Sequence, residues 1–158
     1  MAALIRRGKI ERLHSPDATV PDAPVADAHE TRAWVAAGAD AAAPDAGEVL
    51  RLEPADDPAA LAHRLGAVAR VEVNFPSFTD GRGYSTARLL RERYGYGGEL
   101  RAVGDVQRDH LFNLARCGFD AFLLRKDEDA VEALAAFSDF SETYQASVER
   151  PQPLFRRR

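Results

Sequence analysis

One stretch of the 158-residue chain gathers residue types suited to holding an anion. Phe75-Pro76-Ser77-Phe78-Thr79-Asp80-Gly81-Arg82-Gly83-Tyr84-Ser85 joins an apolar run, Val71 to Phe75, to a helical pattern. Two glycines permit close backbone approach or a positive φ. Ser85, Thr86 and the free amides of a helix start can receive a negative charge. Arg82 and Arg88 can add a forked, two-point grip. The chemistry implied is capture of a sulfur or phosphorus oxyanion. Turn chemistry competes with this reading: Asp80 and Gly81 make a turn and Ser85 caps the helix. That accounts for each residue separately, but less well for the crowding of Arg, Tyr84 and Ser.

Asp105 and Asp109 lie four residues apart after another apolar run. On one helix face they would suit acid/base work or a magnesium ion. Asp105 also fits an N-cap, and Asp109 a pair with a neighbouring Arg. Residues 82–116 hold seven arginines against four carboxylates, a local charge of +3. Arg91, Arg101, Arg108 and Arg116 are therefore candidates for docking an acidic partner. The alternative is a solvated surface of pairs such as Arg88–Glu92. Cys117 stands beside Arg116, which would lower its pKa, but at a helix C-terminus, which would not. It reads as a packed, inert thiol.

Composition removes several chemistries. The chain holds only two lysines, Lys9 and Lys126, and one cysteine. An arginine is no Schiff-base nucleophile, and one thiol holds neither an iron–sulfur cluster nor a zinc site. The four histidines show no metal-ligand spacing, and neither GxGxxG nor GxxxxGK[ST] occurs. No cofactor is evident, and a flavin bound without a motif stays open. The net charge of -4 and the lack of a reader motif argue against nucleic acid. No run nears the ~20 apolar residues that span a bilayer. With no secretory pattern at the start and no disulfide possible, a cytoplasmic protein is expected.

These residues need elements to position them. Leu4-Ile5 and Ile10 around Arg7-Gly8-Lys9 read as a short hairpin. Residues 15–48 are rich in Ala, Asp and Pro and read as irregular, with Trp34 as an anchor and a short helix possible at 30–37. From residue 49 strand and helix alternate four times. The strands are Val49–Leu52, Val71–Phe75, Leu100–Val103 and Phe119–Leu124. One helix opens at Pro58, two run from Tyr84 to Arg93 and from Val106 to Cys117, and Asp127 or Asp129 caps the last. Such alternation implies an α/β fold with a parallel sheet, half-TIM-barrel-like or open and three-layered. The chain divides into an N-terminal segment (1–48), a βα-repeat core (49–150) and a basic tail (151–158). In such folds sites form at the C-terminal ends of strands.

The stretch FPSFTDGRGYSTARLLRERYGYGGELRAVGDVQRDHLFNLARCGFDAF, residues 75–122, closely resembles the bacterial domain of unknown function 934 family. Its members are often labelled probable oxidoreductases involved in sulfite reduction. The resemblance covers the last two-thirds of the chain strongly, and the LIRRGKI opening more weakly. It implies a place in sulfur assimilation but transfers no catalytic residue. An oxidoreductase needs an electron carrier, and no motif for one is visible. The expectation is an accessory protein that binds sulfite reductase or its electron donor, with a homo-oligomer also possible. The rival is a small anion-binding enzyme or sensor with its site at Asp80 to Ser85.

Overall fold

The structure is a computed structural model and describes residues 3–6, 9–12, 49–125 and 127–157. Among the described residues six strands form one open sheet that does not close into a barrel. They are β1 (Ala3–Arg6), β2 (Lys9–Arg12), β3 (Val49–Leu52), β4 (Arg70–Phe75), β5 (Glu99–Gly104) and β6 (Ala121–Leu123). Their order across the sheet is β2-β1-β6-β5-β4-β3. The last four run parallel, and β1 pairs antiparallel with both β6 and β2. The N-terminal hairpin is thus present, with Arg6 opposite Lys9. Trp34 and the helix considered at 30–37 lie outside the described residues.

Among the described residues the α-helices are α1 (Arg82–Arg88), α2 (Arg108–Arg116) and α3 (Ala130–Ala135). α1 runs on as a π-helical turn over Leu89–Arg93 and ends at Gly95, whose φ is +63°. Asp129, not Asp127, caps α3, its side chain accepting from the amides of Val131 and Glu132. Between β3 and β4 the expected α-helix is absent. Leu61, Leu65 and Val68 have helical spacing, but Leu61 and Leu65 sit on two short 3-10 turns, Pro58–Leu61 and Leu65–Ala67, and Val68 directly follows the second. Asp57 and Pro58 open the first turn as their types predict, the Asp57 carboxylate taking the Ala59 amide at 2.9 Å. The three apolar side chains are buried all the same. Burial asks for spacing, and two tight turns supply it as well as one helix.

Each parallel strand pairs with its neighbour in the chain, so every crossover steps the same way. Right-handed crossovers then put the connections on one face. That face holds one continuous apolar core: Leu50 and Leu52, Val71, Val73 and Phe75, Leu100 and Ala102, and Phe122 and Leu124, packed against Leu90, Leu111, Leu114 and Ala133. The alternate residues form an ionic face. Across the strands Arg51 stands opposite Glu72, and Glu72 opposite Arg101. Arg101 reaches Glu99 at 2.7 Å and Glu72 at 3.6 Å, and Arg70 reaches Glu72 at 3.1 Å. Parallel sheets are usually apolar on both sides; here cross-strand charge alternation takes over on one of them.

Candidate functional site

The C-terminal ends of β4, β5 and β6 converge on Asp105. Gly104 ends β5 with φ +95° and turns the chain, so that the Asp105 amide donates to Phe75 O at 2.7 Å. The Asp105 carboxylate accepts from the Phe78 amide (2.9 Å), the Gln107 side chain (2.9 Å) and Arg125 Nη1 (3.0 Å). These donors hold its pKa below the ordinary Asp value, Gln107 having the largest effect. Asp105 therefore ties three strand ends together and is not an N-cap. That place belongs to Gln107, which forms a reciprocal capping box with His110. Nor do Asp105 and Asp109 share a helix face. Asp105 lies in the turn before α2, while Asp109 is on the helix, largely exposed and 3.7 Å from Arg108.

His110 is the member of this cluster that residue spacing did not single out. Its Nδ1 accepts the Gln107 amide at 3.1 Å, so the proton belongs on Nε2, which donates to Phe78 O at 3.2 Å. The Phe78 ring lies over the imidazole, centroids 4.5 Å apart, and is itself 46% exposed. Arg125 completes the arrangement by a two-point pair with Asp127 at 2.6 and 2.8 Å. The cluster is a fully bonded latch. A capping box written Gln-x-x-His, not the commoner Ser-x-x-Glu, was the signal available in the sequence.

The anion candidates are placed as follows. Arg82 forms a fork with Asp80, Nε to Oδ1 at 3.1 Å and Nη2 to Oδ2 at 2.7 Å. Asp80 Oδ1 also accepts the Arg82 amide, so the helix start is held by Asp80 and not by Ser85. The Arg82 bonds depress the Asp80 pKa, and the Asp80 carboxylate raises that of Arg82. Ser85 is exposed, one turn into α1. Tyr84 packs edge-on to Phe75 at 5.5 Å, and burial raises its pKa. Arg88 pairs with Glu92 at 2.9 Å. Among the described residues no hydrogen bond links Arg82 to Tyr84, Ser85 or Arg88.

The docking arginines divide in two. Arg91 is largely buried and binds three carbonyls, Gly118 O at 2.9 Å, Tyr96 O at 2.6 Å and Gly98 O at 2.8 Å. Arg101 is 8% exposed on the ionic sheet face. Both are internal clamps. Arg108 and Arg116 instead line an open groove of about 540 Å³ between α2 and the chain after α3. Its apolar walls are Phe112, Phe140 and Tyr144, with Phe140 62% and Tyr144 67% exposed. Phe112 and Phe140 touch at 4.9 Å, and Tyr144 meets Phe155 at 6.0 Å. Where it is described, the basic tail is held against the rest of the chain. Arg157 reaches Glu142 (2.8 Å), Gln152 O (2.8 Å) and Thr143 O (2.9 Å), which folds the segment back beneath the groove rim. Cys117, just behind Arg116, is half-buried, and desolvation raises its pKa despite Arg88 and Arg116 nearby.

Among the described residues no helix is long and apolar enough to cross a membrane, and no group of three or more His, Cys, Asp or Glu side chains is placed to hold a metal ion. No curated protein and no solved structure matches the chain. A family model described as a bacterial protein of unknown function does match, over residues 49–155, from the first parallel strand to the folded-back tail. The chain thus belongs to the DUF934 family.

Proposed function

We propose that the protein is a cytoplasmic accessory of assimilatory sulfite reduction that docks on sulfite reductase or on the electron donor to it. The observation that carries this reading is the α2 groove, where Arg108 and Arg116 flank the exposed rings of Phe140 and Tyr144. Aromatic and arginine side chains together are what protein interfaces enrich. The pathway comes from the family resemblance of residues 75–122, and the mode of action from the groove. Such a role requires no resident cofactor. The anion-binding alternative has less support, because Arg82 and Arg88 both spend their charge on neighbouring carboxylates.

The test is direct binding of the purified protein to purified sulfite reductase and to its electron donor, together with growth of a deletion strain on sulfate. Saturable binding to either protein and slowed growth on sulfate, relieved by a reduced sulfur source, are expected. Absence of binding with normal growth refutes the proposal. The absorption spectrum of the purified protein is a second check: a flavin or cluster band would return the oxidoreductase reading.

A further inference from the structure

The groove also carries information about what fills it. Its two cations are not equivalent. Arg108 is neutralised at 2.9 Å by Asp139 and lies 3.7 Å from Asp109. Arg116 forms no ion pair among the described residues. Its guanidinium lies over the Phe112 ring at 5.8 Å, and Nη2 reaches only the Gln145 carbonyl, at 3.4 Å. Its Nε is buried without a hydrogen bond. With no carboxylate among the described residues within ion-pair distance and only a long contact at Nη2, the Arg116 guanidinium is left for a charge-assisted bond to an incoming carboxylate. The rest of the rim limits the number of charges the occupant brings. Asp109, Asp139 and Glu142 outnumber the two arginines that line the groove. A polyanion gains nothing there; a single carboxylate at Arg116 does. Beside it, Phe140 and Tyr144 offer ring faces to an apolar side chain.

We infer that the groove binds a segment of a partner protein that sets one carboxylate beside an aromatic or aliphatic side chain, with the carboxylate on Arg116 and the apolar group on Phe140 and Tyr144. This rests on the docking role proposed above and specifies the docked chemistry. Arg116 and Phe140 are the anchors. Recognition depends on one charge and one ring, so its salt dependence is shallow.

The experiment is fluorescence anisotropy of the full-length protein with a short labelled peptide holding one Glu between Phe and Leu, and with the same peptide carrying Gln for Glu. Saturable binding of the Glu peptide, weakened roughly tenfold in the Gln peptide, is expected, a loss of ~1.4 kcal/mol. Arg116→Gln reproduces that loss and no longer distinguishes the two peptides. Phe140→Ser, at an exposed position that does not threaten the fold, weakens both. Equal affinity for the two peptides, or unchanged affinity in Phe140→Ser, overturns the inference. The peptide pair decides in the unmutated protein even if Arg116→Gln fails to fold. Concentration-dependent self-association abolished by Phe140→Ser also overturns it, in favour of a second copy as occupant. The two proposals fail separately. If sulfite reductase binds Arg116→Gln as well as it binds the unmutated protein, the groove assignment falls and the accessory role stands. If the Glu peptide binds and neither sulfite reductase nor its electron donor displaces it, the groove stands and the accessory role falls.

Discussion

Gly104→Ala tests whether the strand-end architecture depends on the turn after β5. Gly104 has φ +95°, and an added Cβ would press on the Phe75 carbonyl oxygen and lie 2.6 Å from Asn74 Oδ1. Neither neighbour is free to yield. Phe75 O accepts the Asp105 amide at 2.7 Å. The Asn74 amide is held by Glu53 at 2.8 Å and Arg51 at 3.3 Å, all three side chains being buried. The positive φ alone costs an alanine ~1–2 kcal/mol. Crowding against fixed atoms adds ~1–3 kcal/mol. At about 2–4 °C per kcal/mol for a chain of this size, the melting temperature falls by roughly 10 °C. Gly95→Ala is the control: its φ is +63° and nothing lies within 4 Å of the new Cβ, so it bears only the conformational cost, ~1–2 kcal/mol. Urea denaturation followed by circular dichroism measures both. Equal midpoints for the two variants would falsify the claim that the turn is fixed by its neighbours.

Three further outcomes follow from contacts described above. Arg91→Ala strips the acceptors Gly118 O, Tyr96 O and Gly98 O of their donor and lowers stability by ~3–5 kcal/mol in urea denaturation. Arg91→Lys recovers less than half of that, because an ammonium lacks the fork. The folded-state pKa of Asp105 lies below its ordinary 3.8. Its contribution is therefore present above that value and lost as pH falls through the folded one. Asp105→Asn is less stable than the unmutated protein at neutral pH and changes less as pH falls below 3.8, as urea midpoints through the acid range will show. Cys117, its thiol pKa raised by burial, reacts with a small alkylating agent more slowly than free cysteine at pH 8 and reaches the free rate only in denaturant.

The strands were legible because their apolar residues alternate or run together between breakers. Val49–Leu52 is the same in sequence and structure, Pro76 directly follows β4, and Gly118, at φ +103°, follows the end of α2. The segment after Pro58 was less so, since spacing of three and four residues is shared by an α-helix and by successive tight turns. The ionic face lay in plain view as Arg70, Glu72 and Asn74 alternating with Val71, Val73 and Phe75. Only the register shows that Glu72 meets Arg51 and Arg101 across the strands. For the site, local charge counting put Arg91, Arg101, Arg108 and Arg116 in one group. Burial divides them, because a side chain's partners come from distant parts of the chain: Gly118 for Arg91, Gln145 for Arg116. Phe140 and Tyr144 carry no periodicity, sit in irregular backbone, and become a surface only when the chain folds back.

The strand order has a consequence for assembly. From β3 to β6 each strand settles beside the one made just before it, so the parallel sheet grows by short closures. The hairpin of β1 and β2 is the exception. It is made before the four parallel strands, yet its place is on β6, more than a hundred residues later. As the chain leaves the ribosome, the pairing of β1 with β6 must wait until the last parallel strand is out. It then covers the open edge of β6, the most recently formed and least protected part of the sheet. The hairpin, made before the strands it joins, therefore seals the sheet last, and a chain cut short before residue 121 would lack the strand that β1 pairs with.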